Sequence, residues 1–169
     1  VRSACAQAVQ GGVVEAVNFN APGQVVIAGS VDAVERAIAA CKEAGAKRAM
    51  ALPVSVPSHC ALMKPAAEQL ADTLNNTRFH AAEMPVINNV DVAMETDPEK
   101  IRDALIRQLY SPVRWVETIQ ALKEQGVGHL YECGPGKVLA GLNKRCADGV
   151  TTYNLNTPDA VAATRAALA

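Results

Sequence analysis

The chain has 169 residues, of which 50% are hydrophobic and 20% charged, with a net charge of −1. That balance excludes a disordered tail, a broad basic surface for nucleic acid and a polybasic membrane anchor. Five cysteines form no CxxC pair and no zinc-type spacing, and their odd number argues against a closed disulfide framework, so reduced thiols in a cytoplasmic protein are expected.

No apolar run approaches the roughly 20 residues needed to cross a bilayer, and V-R-S-A-C-A-Q at the start lacks the apolar stretch of a signal peptide. Residues 1 to 10 carry small apolar side chains at helical spacing until Gly11-Gly12 stops them. The opening already reads as mid-helix and has no initiating methionine, so the N-terminal part of a longer protein is expected to be missing. V-V-E-A-V-N-F-N, 13 to 20, predicts a strand, A-P-G-Q a turn, and V-V-I-A-G, 25 to 29, a second strand returning beside the first.

Ser30 is the expected N-cap of a helix over 31 to 44, where Val31, Val34, Ile38 and Cys41 recur at helical spacing before Gly45. A-K-R-A-M-A-L-P-V-S-V, 46 to 56, predicts a further strand. Partial helix, two strands, helix and strand are the order of a split β-α-β lobe that has lost its first strand. Beyond it the pattern predicts helix 60–75, strand 84–90, helices 98–110 and 113–125, strand 129–133, helix 137–146, strand 151–155 and helix 158–168. Such alternation predicts a largely parallel sheet covered by helices.

His59, in S-V-P-S-H-C-A-L-M, follows the expected third strand and precedes a helix, at the kind of sheet edge where open α/β folds place ligands. That setting suits a general base, although for a histidine taken alone a capping or packed polar role is the commoner one. His80 and His129 lack such a setting and read as surface or boundary residues. The three histidines show no HxxxH or HxH spacing, and no metal site is expected.

Cys60 adjoins His59, but neighbouring side chains at a helix start diverge, so it reads as a small packed residue rather than a nucleophile. G-x-S-x-G occurs nowhere in the sequence. E-C-G-P-G-K, 132 to 137, has the glycines and lysine of a phosphate-cradling loop without its full motif, and a strand-to-helix turn is the stronger reading. Asn18 and Asn20 share one face if the strand persists, where amides can hold a ligand or satisfy their own turn.

Four strings in order, V-N-F-N-A-P-G-Q-V-V-I-A-G, L-P-V-S-V-P-S-H-C-A-L-M, R-Q-L-Y-S-P-V-R-W and Y-E-C-G-P-G-K-V-L, resemble the bacterial malonyl-CoA:acyl carrier protein transacylases of type II fatty acid synthesis. The likeness covers essentially the whole chain. It implies an α/β fold, an α/β-hydrolase-like core carrying a ferredoxin-like small lobe, both partial, with the lobe over 1–56 and the C-terminal part of the core over 57–169.

The implied activity moves malonyl from coenzyme A to a serine and then to the phosphopantetheine thiol of acyl carrier protein. The implied partners are malonyl-CoA, as substrate rather than cofactor, and acyl carrier protein, with no nucleic acid or membrane, in a monomeric parent. His59 matches the family's catalytic histidine, and Gln108 the residue whose main-chain carbonyl orients it. Asn18 and Asn20 fall where the family lines the cleft toward coenzyme A, and Arg48 where a phosphate or the acidic carrier protein would be met. The family's G-H-S-x-G serine, its malonyl-binding arginine and its G-Q-G-S-Q segment have no counterpart in these residues. The chain alone is therefore expected to be inactive, and a noncatalytic binding module or a fragment is the alternative reading.

Overall fold

The structure, a computed structural model, describes residues 1–168. The fold is mixed α/β, and its contacts divide the chain into two compact units, 1–19 with 24–114, and 20–23 with 115–169. The subdomain boundary read at 56/57 falls inside the first of these.

The first unit begins with α1 (Arg2–Ala8), β1 (Val14–Ala21), β2 (Gln24–Gly29) and α2 (Val31–Glu43), the last residues of β1 belonging to the second unit. Ala33 and Ala37, one turn apart and fully buried, let α2 lie close on Cys5 and Ala8 of α1. Arg36 of α2 donates to the carbonyls of Ala8 and Val9, which helps satisfy the end of α1. Ser30 stands at the N-cap of α2 as expected, but its hydroxyl exchanges hydrogen bonds with the backbone of Val13 rather than capping the helix. Gly45, at φ +88°, ends α2 with the paired bonds Gly45 N–H to Lys42 and Ala46 N–H to Cys41, a Schellman closure.

A short 3₁₀ turn, Ala61–Met63, leads into α3 (Lys64–Asn75), then β3 (Val86–Ile87), β4 (Met94–Glu95) and α4 (Pro98–Gln108). Asp97 caps α4 by accepting from the N–H groups of Glu99 and Lys100, and Pro98 takes the first helical position, where no N–H is needed. The second unit holds α5 (Trp115–Glu124), β5 (His129–Cys133), α6 (Val138–Cys146), β6 (Thr151–Leu155) and α7 (Pro158–Leu168). Ala21, Ile119 and Cys146 centre its core, with Trp115, Leu130 and Leu142 packed around them.

Two expectations about strands need correction. Residues 46–56 form no strand. Met50, Leu52, Val54 and Val56 do alternate, yet all four are exposed, because alternation makes a strand only where a ladder edge is available to pair with. The expected strand 84–90 shrinks to Val86–Ile87 and pairs antiparallel with β4, which the pattern did not predict. In place of one largely parallel sheet the described residues form three two-stranded ones, β1-β2, β3-β4 and β5-β6. The β5-β6 pair is parallel, five residue pairs long, because α6 carries the chain back between them.

Candidate active site

His59 sits at φ +67°, in the left-handed region that costs a non-glycine residue roughly 1 kcal/mol or more. Three contacts hold it there. Its backbone N–H donates to the Leu109 carbonyl at 2.9 Å. Its ring Nδ1 lies 2.8 Å from the Gln108 carbonyl oxygen. The next residue, Cys60, is fully buried, and its thiol donates to the Pro57 carbonyl at 3.1 Å, fixing the chain on either side of the histidine.

The two carbonyls are available for a reason written in the chain. At the end of α4 the helical partner of the Gln108 carbonyl would be the N–H of residue 112, which is proline and has none. The partner of the Leu109 carbonyl would be the N–H of Val113, which donates instead to Val17 at 2.8 Å. Both orphaned acceptors turn to His59.

A carbonyl only accepts, so Nδ1 carries a proton, and in the neutral ring Nε2 is the nitrogen with the lone pair. The Gln108 side-chain amide also reaches Nδ1, at 3.4 Å, and donates to the Ser111 carbonyl at 3.4 Å. Both contacts are longer than the 2.8 Å carbonyl contact, which therefore sets the tautomer. In its neutral form the ring is thus held as the Nδ1–H tautomer with Nε2 able to take a proton, oriented by a carbonyl that stabilises imidazolium less than a carboxylate would.

Asn18, half-buried, is joined by backbone to the same turn. It forms a parallel bridge with Val113, flanked by Val113 N–H to Val17 and Phe19 N–H to Val113. Asn20 belongs to the second unit, where its carbonyl accepts from the Cys146 thiol at 3.4 Å. Arg48 is exposed, its Nε 3.0 Å from the Met50 sulfur, and among the described residues no contact ties it to His59 or Gln108. His80 and His129 are exposed.

Cys60 is the packed residue expected, and burial raises its thiol pKa above the ordinary value, which disfavours a thiolate nucleophile. The E-C-G-P-G-K turn is also explained by its surroundings. The Glu132 carboxylate accepts from the N–H groups of Leu139 (3.1 Å) and Ala140 (2.8 Å), so the chain's own anion fills the start of α6 where a phosphate would bind. The proline four residues after Gln108 is the local signal from which its carbonyl was recoverable without any resemblance. No spacing in the sequence marks the ion pair between Asp91 and Arg107 described below.

Residues 1–153 match the family described as acyl transferase domain. Among curated proteins the chain is similar to the malonyl CoA-acyl carrier protein transacylase of Escherichia coli K12, with 61% identity over 163 residues, 96% of this chain and 53% of the relative. Its counterpart from Haemophilus influenzae is 62% identical over 154 residues, 91% of this chain and 49% of the relative. Among solved structures, an acyl carrier protein S-malonyltransferase from Vibrio cholerae superposes with a TM-score of 0.94 at 62% identity, over 96% of this chain and 53% of that one.

A malonyl-transacylase solved in complex with its type II polyketide acyl carrier protein, PlMCAT:AntF, superposes at 0.93 with 56% identity over 95% of this chain and 52% of that one. The chain thus spans about half the length of the relatives it matches.

Proposed function

The chain belongs to the acyl transferase domain family, and from that membership we propose that it carries the general base of an [acyl-carrier-protein] S-malonyltransferase. The observation that carries this reading is the 2.8 Å contact between His59 Nδ1 and the Gln108 carbonyl, which leaves Nε2 as the basic atom. Similarity to malonyl transacylases, one of them solved with its carrier protein, supports malonyl-CoA and acyl carrier protein as donor and acceptor.

In the proposed cycle, Nε2 takes the proton of a serine hydroxyl as its oxygen attacks the malonyl thioester. The tetrahedral intermediate expels coenzyme A sulfur, which receives that proton from the imidazolium, leaving malonyl as a serine ester. The carrier protein's phosphopantetheine thiol then gives its proton to Nε2 and attacks the ester. Collapse forms the new thioester, and the proton returns to the serine oxygen. Each leaving or attacking sulfur is a thiol, with a pKa of about 8.5, far easier to expel than an amine. A neutral carbonyl behind the histidine is therefore adequate where an amide-cleaving site needs a carboxylate.

In this reading Asn18 and Asn20 face coenzyme A, and Arg48 meets a phosphate or the acidic carrier protein. The small ferredoxin-like lobe spans 1–56, the α/β-hydrolase-like core continues over 57–169, and the parent acts as a cytoplasmic monomer.

The test completes this chain with the portion of the Escherichia coli relative that the match leaves uncovered and assays malonyl transfer to acyl carrier protein. The chimera is expected to transfer malonyl, and His59→Ala to lower kcat/KM by about 10³-fold or more. Retention of activity within tenfold after His59→Ala would overturn the assignment.

A further inference from the structure

The turn that presents the Gln108 and Leu109 carbonyls is gripped from outside. Arg107, the residue before Gln108, donates through Nη1 and Nη2 to the two carboxylate oxygens of Asp91 at 2.9 and 2.7 Å. Its Nε donates to Asp103, one turn back on α4, at 2.6 Å. At the other end of the turn Arg114 donates to the Val90 carbonyl at 3.2 Å. Loop 88–93 thus holds the residues on both sides of the carbonyls that bind His59.

The loop itself is stiff. Its ends continue into the paired strands β3 and β4, and Asn88 closes it with three contacts to Ala93 and Asp91 in addition to the Val92 N–H to Asn88 bond. Val92, at φ +56°, marks a backbone held in a sparsely populated conformation by this closure. A bidentate guanidinium–carboxylate fork fixes direction as well as distance, unlike a contact between point charges.

Resting on the reading of His59 as the base, we propose that Asp91 and Arg107 are positioning residues: their fork anchors the end of α4 to loop 88–93 and so aims the Gln108 carbonyl at His59 Nδ1. The pair is partly exposed, with side-chain accessibilities of 43% for Asp91 and 30% for Arg107, and contributes little to overall stability. Its effect should therefore appear in the histidine and not in the folding transition. Asp103 meets Arg107 along the helix, one turn apart, and among the described residues no hydrogen bond or ion pair of its own ties it to loop 88–93.

The experiment is a long-range ¹H–¹⁵N correlation of the histidine rings in the labelled 169-residue chain, with His80→Gln and His129→Gln assigning the three rings. His59 is expected as the Nδ1–H tautomer. Asp91→Asn and Arg107→Gln should shift it toward the Nε2–H form that dominates in free imidazole, with the His80 and His129 signals unmoved and the thermal midpoint changed by no more than about 3 °C. Arg107→Lys should fall between, and Asp103→Asn should leave His59 unchanged.

An unaltered His59 tautomer in both Asp91→Asn and Arg107→Gln would overturn the clamp while leaving the base assignment standing. An Nε2–H tautomer in the unsubstituted chain would overturn both. In the completed chimera, Asp91→Asn is expected to lower kcat by roughly tenfold at unchanged KM, the signature of a misaimed base rather than lost substrate binding.

Discussion

His59 owes its chemistry to what surrounds two carbonyls, and Cys60 beside it owes its inertness to burial. The five cysteines divide the same way, four buried and Cys133 exposed. Burial raises the thiol pKa values of Cys5, Cys60 and Cys146, so each stays protonated in the folded chain. A raised folded value means the stabilisation is present below the unfolded thiol pKa and is lost as pH rises through the folded one. At pH 8, iodoacetamide is expected to label Cys133 rapidly and the other four only on unfolding, which peptide mass mapping over time would show. Rapid labelling of Cys60 in the folded chain would contradict its packing.

Among elements, helices were the most legible. The spacing that predicts 31–44, 98–110 and 158–168 is local to each segment, and α2, α4 and α7 agree within two residues. Strands 129–133 and 151–155 also match, since turn residues bound them on both sides. The segment 46–56 shows the limit, because its alternation is a local fact and a ladder partner is not.

Close approach can be tested at the same scale. A Cβ on Gly29 would stand 1.9 Å from the Val13 carbonyl oxygen, where the start of α2 is tied to β1. Gly29→Ala is expected to cost about 3 kcal/mol in urea unfolding. Gly141, inside α6 with open space where its Cβ would lie, should instead gain about 0.5–1 kcal/mol as alanine. Equal effects at the two glycines would mean the Gly29 contact does not exist in solution.

For the whole molecule, the proposed base needs a serine to act on. The 169 residues contain no G-x-S-x-G, so incubation of this chain alone with malonyl-CoA is expected to leave its intact mass unchanged. A malonyl adduct on serine would contradict that and require a nucleophile that no motif marks. No helix of the described residues is long and apolar enough to cross a membrane. The likeness to malonyl transacylases was carried by four strings along the chain and agrees with a match over residues 1–153. Asn18 was legible as a strand residue, while its joining to Val113 was not, because 95 residues separate them.

By itself the sequence determined the helices, the β5 and β6 segments, the position of His59 between Pro57 and a helix start, and the absence of a serine elbow. Each of these depends on residues within a few positions of one another. Only the tertiary structure decided which strands found partners, which anion filled the start of α6, and which nitrogen of His59 carries the proton. The last of these needs a carbonyl 49 residues away, freed by Pro112 and brought to Nδ1 by the packing of α4. Side-chain chemistry is written locally, but tautomer and direction are properties of contacts that exist only once the chain has closed on itself.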